Sequence, residues 1–159
     1  ELAFMMTESG QTDGIGGQVP QLPHPEQNLA MYRALSNTIR AGTVRTAHDC
    51  SEGGLAVTLA EMCIGGRLGA SVDIDGTGDG DVWGRLWGES LGRFVVAVSP
   101  DHEEAFLAAM KGHPTTVLGT VEDTGQLHIT DGDDPLVHMH VDAMTTAWKG
   151  TLDLTGGVA

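Results

Sequence analysis

The stretch Thr43-Val-Arg-Thr-Ala-His-Asp-Cys-Ser-Glu-Gly-Gly-Leu-Ala-Val-Thr-Leu-Ala-Glu-Met62 decides how the chain folds. Thr43 to Ala47 is short and rich in β-favouring residues, which predicts a strand. It runs straight into His48-Asp-Cys-Ser-Glu-Gly-Gly54, a turn in which two glycines permit backbone shapes closed to other residues. A helix is predicted to begin near Gly53, with Leu55, Leu59 and Met62 on its buried stripe and Gly65-Gly66 as its stop. A strand, a tight glycine turn and a helix follow one another with no linker. The helix start faces whatever lies beyond the strand end.

Upstream, Leu29, Tyr32, Leu35 and Ile39 recur at helical spacing, Pro25 suits a first helical position and Gly42 a left-handed stop. Residues 1–25 carry Gly14-Ile-Gly-Gly17 and three prolines, and are expected to hold a short strand and an irregular linker. Downstream, Ala70, Val72 and Ile74 alternate with polar residues as a half-buried strand does. Val82 to Trp87 is predicted as a short helical turn. The apolar run Phe94 to Val98 is read as a central strand. Ser99-Pro-Asp101 offers an N-cap, a first-position proline and an acidic first turn for a helix to about Lys111. Thr115–Val121 and Gln126–Thr130, around Glu122 to Gly125, are predicted to form a hairpin. Val141 to Lys149 completes the set as a helix. Interleaved helices and strands with one late hairpin predict an α+β fold, a mixed β-sheet with flanking helices. The domain reading is a linker over 1–25 and one domain over 26–159.

Composition narrows the function. At 159 residues and 40% apolar the chain is one globular domain with room for a core. A net charge of −14 excludes a nucleic-acid or anionic-membrane partner. No apolar run nears the roughly 20 residues of a membrane helix. Cys50 and Cys63 read as free thiols of a reducing, cytoplasmic compartment. The first residues, Glu1-Leu-Ala-Phe-Met-Met, lack an initiator methionine and a signal-peptide pattern and read as a cut through a longer polypeptide.

The glycine turn is the foremost candidate site. Gly53 and Gly54 would bring backbone N–H groups to a phosphate at a helix N-terminus. Ser51 would donate to a phosphate oxygen or cap the helix, and Asp49 would hold Mg²⁺ through water or close an Asx turn. Glu89 and Arg93, ahead of the Phe94 strand, would pair with each other, or Arg93 would clamp an anion. Asp73 to Gly84 imitates a calcium loop but ends on Gly84 where a glutamate is needed. His138 and His140 share a strand face without a third ligand at a familiar spacing. A His48–Cys50 pair would suit acyl transfer, without an orienting third group. No residue is assigned a catalytic role, and the metal ligands are unassigned.

The string from Arg40 to Met62 resembles the last domain of the phosphoribosylformylglycinamidine synthase family, which reads AHD-x-S-[DE]-GGLA-x-x-LAEM there. Gly66 to Asp73, Trp87-Gly-Glu-Ser-Leu-Gly-Arg-Phe-Val-Val96 (FGES-x-GRF in the family), Leu118 to Val121 and Ala147-Trp148 extend the likeness. Sister families differ at the turn, with HITGGG in aminoimidazole ribonucleotide synthetase and DVSDGL in thiamine-phosphate kinase. The resemblance implies a second C-type domain of the synthetase subunit of a purine-biosynthesis ligase. That ligase makes formylglycinamidine ribonucleotide from the formylglycinamide using ATP, Mg²⁺ and ammonia from glutamine. It implies that His48, Asp49, Ser51, Glu52, Gly53, Gly54, Glu89 and Arg93 belong to phosphate- or nucleotide-binding motifs, or to a scaffold. It implies as partners the remaining domains of its own chain, a glutaminase subunit and a small bridging subunit. The fragment alone is expected to be inactive. Trp87, Leu91 and the glycine-rich Asp75–Asp81 loop depart from the family pattern, and Leu91 removes an amide that would reach a ligand.

Overall fold

The structure is a computed structural model that describes residues 24–78 and 81–150. The strand and linker expected over 1–25 lie almost wholly outside the described residues. Helix α1 spans Pro25–Arg40 and opens on its proline, as expected. Strand β1 (Val44–Asp49) leads through the glycine turn into α2 (Gly54–Gly66). Then come β2 (Gly69–Asp73), the short α3 (Val82–Trp87) and β3 (Phe94–Val98). A 3₁₀ turn, Pro100–His102, precedes α4 (Glu103–Ala109). The chain closes with β4 (Gly119–Glu122), β5 (Gln126–Asp131), β6 (Asp134–His140) and α5 (Val141–Gly150). The α+β expectation holds.

The strands form two sheets. β1 and β3 make an antiparallel ribbon, and β4-β2-β5-β6 make a mixed sheet in which only β2 and β5 run parallel. The predicted central strand over Phe94–Val98 is therefore one strand of a two-stranded ribbon. Its apolar run faces helices on both sides: Val95 joins the core around α2, while Val96 and Val98 pack on the cluster of Leu35, Phe106 and Met110. A run buried on two faces reads as a central strand in any sheet, whatever its width.

The hairpin expected between β4 and β5 does not form. β2 lies between them, antiparallel to β4 and parallel to β5. The Glu122–Gly125 turn arches over the start of β2, and Gly69 permits it: a Cβ there would lie 2.4 Å from the Gln126 carbonyl oxygen. The tight hairpin joins β5 to β6 through Gly132-Asp133, with Gly132 at φ 57°. Gly-Asp is one of the pairs that two-residue hairpin turns favour.

α2 is the hub. It touches β1, β3, β5, α3 and α5. Leu55, Ala56, Thr58, Leu59 and Cys63 are all buried, so the helix is covered nearly all round rather than along one stripe. It ends at Gly66, as expected, and the left-handed residue that caps it is Arg67 (φ 55°) rather than a glycine. The Arg67 guanidinium bonds Asp142 and Thr145 of α5, and this contact holds the unusual backbone. The inner face of the mixed sheet supplies Ala70, Val72, Leu127 and Ile129 to the same core, with Val141 and Met144 of α5. Burying Leu127 and Ile129 alone contributes about 2–3 kcal/mol each by apolar transfer.

Candidate functional site

β1 carries His48 and Asp49 to an open groove of about 410 Å³ walled by Leu35, Ile39, Ala47 and Phe94. The His48 ring is held on both sides. Nδ1 donates to the Asp49 carbonyl at 2.8 Å, and Nε2 lies 3.2 Å from Glu61 Oε2. Glu61 projects from α2, so this histidine staples the strand to the helix that follows. The Asp49 carboxylate stays more than half exposed, with His48 Nδ1 3.7 Å away. Below it, the buried Thr58 hydroxyl lies 3.0 Å from the Asp49 carbonyl oxygen and 2.9 Å from that of Gly54.

The turn itself differs from expectation. Gly53 and Gly54 both take left-handed φ, 76° and 62°. Gly53, not Ser51, occupies the N-cap position, because two successive left-handed residues are open to glycine and strained for serine. Ser51 contributes its carbonyl, which accepts the Gly54 N–H at 3.1 Å. The Asp49 Asx turn does not form, since its carboxylate accepts no backbone N–H among the described residues. Glu52 is exposed on the turn.

The second motif locks onto the first. Glu89 Oε1 accepts the Gly53 N–H at 2.9 Å. Gly54 packs so closely on the end of α3 that a Cβ would sit 2.7 Å from the Leu86 carbonyl oxygen. Arg93 neither pairs with Glu89 nor stands free. Its guanidinium donates to the carbonyls of Gly88 and Arg85, both at 3.0 Å, closing the C-terminal end of α3 where helix carbonyls lack partners. Its own carbonyl accepts the Cys50 N–H at 2.9 Å, binding the motifs backbone to backbone. All eight predicted residues thus lie on two segments that the fold brings together.

The remaining candidates have structural explanations. Burial pushes the Cys50 thiol up, against the weaker effect of the Thr58 hydrogen bond. With His48 turned to Glu61, the pair lacks the activated thiolate that acyl transfer needs. Asp73, first of the calcium-like loop, accepts the N–H groups of Asp75 and Gly132, each at 2.9 Å, and these hold its carboxyl below the ordinary range. Asp81 caps α3 by accepting the Gly84 N–H at 2.7 Å. Residues 79 and 80 of that loop lie outside the described residues. Among the described residues no three His, Cys, Asp or Glu side chains are grouped to hold a metal.

Glu61 and Thr58 belong to the site and were missed. Both sit inside the quoted string, but only the fold of α2 back along β1 shows that they reach His48 and Asp49.

Residues 2–132 match the family described as AIR synthase related protein, C-terminal domain. The chain belongs to this family. This C-terminal domain is 37% identical over 139 residues to phosphoribosylformylglycinamidine synthase subunit PurL of Synechocystis sp.. The match takes in 85% of the chain and 18% of that protein, so the chain spans about a fifth of the length of the curated relative it matches. In fold the domain is similar to T. maritima PurL complexed with ATP, at TM-score 0.64 and 24% identity over 72% of this chain and 21% of that one. The likeness to PurLQS from Thermotoga maritima has TM-score 0.67 and 22% identity, over 86% of this chain and 23% of that one.

Proposed function

We propose that the chain is the C-terminal synthetase domain of a phosphoribosylformylglycinamidine synthase, a purine-biosynthesis ligase that converts formylglycinamide ribonucleotide to its amidine. The interlock of the two family motifs through Glu89 and Gly53 carries this reading. Two strings that resemble the family at separate places in the sequence meet at one backbone N–H. The 37% identity to a PurL over most of the chain supports the same assignment.

In the complete ligase, ATP supplies the phosphoryl group that activates the amide oxygen before ammonia displaces it. Within this domain the Gly53 N–H is the donor aimed at a phosphate, and Glu89 holds its place until one arrives. Asp49 is the carboxylate beside the turn that would share Mg²⁺, through water, with a bound nucleotide. His48, Thr58, Glu61 and Arg93 position the turn without touching a ligand. The apolar groove beside Asp49, with Ile39 and Phe94 each more than 40% exposed, suits contact with the remaining domains of the enzyme. A glutaminase subunit and a small bridging subunit complete the proposed assembly, in the cytoplasm.

Titration of the purified chain with Mg–ADP tests the role of the turn. The wild type is expected to bind weakly, and Glu89→Ala at least tenfold tighter, because the competing carboxylate is gone. Equal or weaker binding by a folded Glu89→Ala variant would make the contact purely structural.

A further inference from the structure

The outer face of the mixed sheet holds a second cluster, remote in function from the glycine turn. Leu127 and Ile129 point into the core, so His128 between them points outward. Its partner directly across the antiparallel β5–β6 pair is His138. The two imidazole rings lie 4.0 Å apart between centroids and tilt 32° to one another. His138 is exposed and His128 half-buried. Neither ring has a hydrogen bond or ion pair among the described residues, so their nitrogens are uncommitted. His140, two residues along the same face, is committed: its Nδ1 accepts the Asp142 N–H at 3.1 Å.

We propose that His128 and His138 form a two-imidazole site for a divalent transition-metal cation of the zinc, nickel and copper class. Imidazole is the ligand this class prefers, and copper(II) binds such nitrogens most tightly of the three. Opposed residues on antiparallel strands have Cβ atoms about 5 Å apart, which lets two rings reach one ion. Metal–nitrogen bonds of about 2.0–2.1 Å require the stacked rings to open by roughly an ångström, a rotation about the side-chain bonds alone. The strand beneath is rigid, with Leu127 and Ile129 each 1% exposed, so the ligands are held on a fixed frame. A net charge of −14 favours cations throughout the surface field. Water completes the coordination shell. Bound metal ties the edge strand β6 to β5 and stabilises the native hairpin by mass action.

The test is calorimetric titration of the full 159-residue chain with Zn²⁺, Ni²⁺ and Cu²⁺, in a buffer that does not chelate metal. One equivalent is expected to bind, most tightly for Cu²⁺. His128→Asn and His138→Asn should each weaken binding at least tenfold, about 1.4 kcal/mol, while His140→Asn leaves it unchanged. Carbethoxylation of the wild-type chain needs no variant: metal should protect His128 and His138 and leave exposed His102 reactive. Absence of binding overturns the proposal. So does binding that survives both substitutions, or protection that spares neither ring, since the ion would then sit elsewhere among the seven histidines.

Discussion

Replacing Gly54 with alanine forces a Cβ to within 2.7 Å of the Leu86 carbonyl oxygen, on a backbone at φ 62°. Left-handed strain and overpacking together should cost about 3 kcal/mol, read as a fall in the urea or thermal midpoint. Gly65 is the matched control. A Cβ there meets nothing within 4 Å inside the same helix, so Gly65→Ala should stabilise by up to about 1 kcal/mol. Equal effects at the two positions would mean that α3 does not close on the turn as described. At this scale the sequence was legible where backbone freedom mattered. The paired glycines announced a special turn, and they make one. The side chains were harder to read. Arg93 looked like a clamp for an anion, yet its donors go to helix carbonyls whose position depends on how α3 ends. His48 looked ready to meet Cys50, but Glu61, thirteen residues on, holds its ring.

Asp73 ties β2 to the β5–β6 hairpin by accepting the Gly132 N–H, and folds its own loop by accepting that of Asp75. These two donors, with Arg85 a weaker contributor, lower its carboxyl from the ordinary value of 3.8. A carboxyl whose folded pKa is lowered adds stability that is complete above its unfolded pKa. That stability is lost as the pH falls through the folded value. Thermal midpoints of the wild type should therefore fall more steeply below about pH 4 than those of Asp73→Ala, with the two curves converging in acid. Parallel curves would show that the carboxylate does not hold the hairpin turn. A second tie joins α3 to the same region: Arg85 bonds both carboxylate oxygens of Asp131 and the Ile74 carbonyl. Arg85→Ala and Asp131→Ala should each lower the midpoint by several degrees, and the double variant by less than their sum. Helices and most strands were legible because their periodicity is local. The order of the strands was not, since nothing in Thr115–Thr130 records that β2 slots between β4 and β5. Only the small residue Gly69 hints at a close crossing, and it hints without naming its partner. The His128–His138 pair was hidden for the same reason: it exists only in the β5–β6 register.

Among the described residues α2 packs at the centre, with an apolar groove beside β1 and an outward sheet face that carries His128 and His138. α2 reaches both sheets, so the glycine turn at its start is rigidly joined to the core. That arrangement suits a domain that presents a fixed turn to a neighbour better than one that closes on a ligand by itself. The chain alone should produce no amidine from formylglycinamide ribonucleotide, ATP and ammonia, and turnover by the purified chain would refute this. Fold class and the two motifs themselves could be read from the sequence through residue pattern and family likeness, whereas their meeting at Glu89 and Gly53 is seen only in the fold. The division into two sheets could not, because apolar runs report burial and not the number of neighbouring strands. The most direct measurement is turnover by a chimera in which this chain replaces the corresponding domain of the Synechocystis PurL it resembles. Ammonia-dependent amidine formation within about tenfold of the parent is the expected result, with Gly54→Ala in the chimera sharply reducing it. A soluble, folded chimera that binds ATP yet forms no amidine would contradict the account.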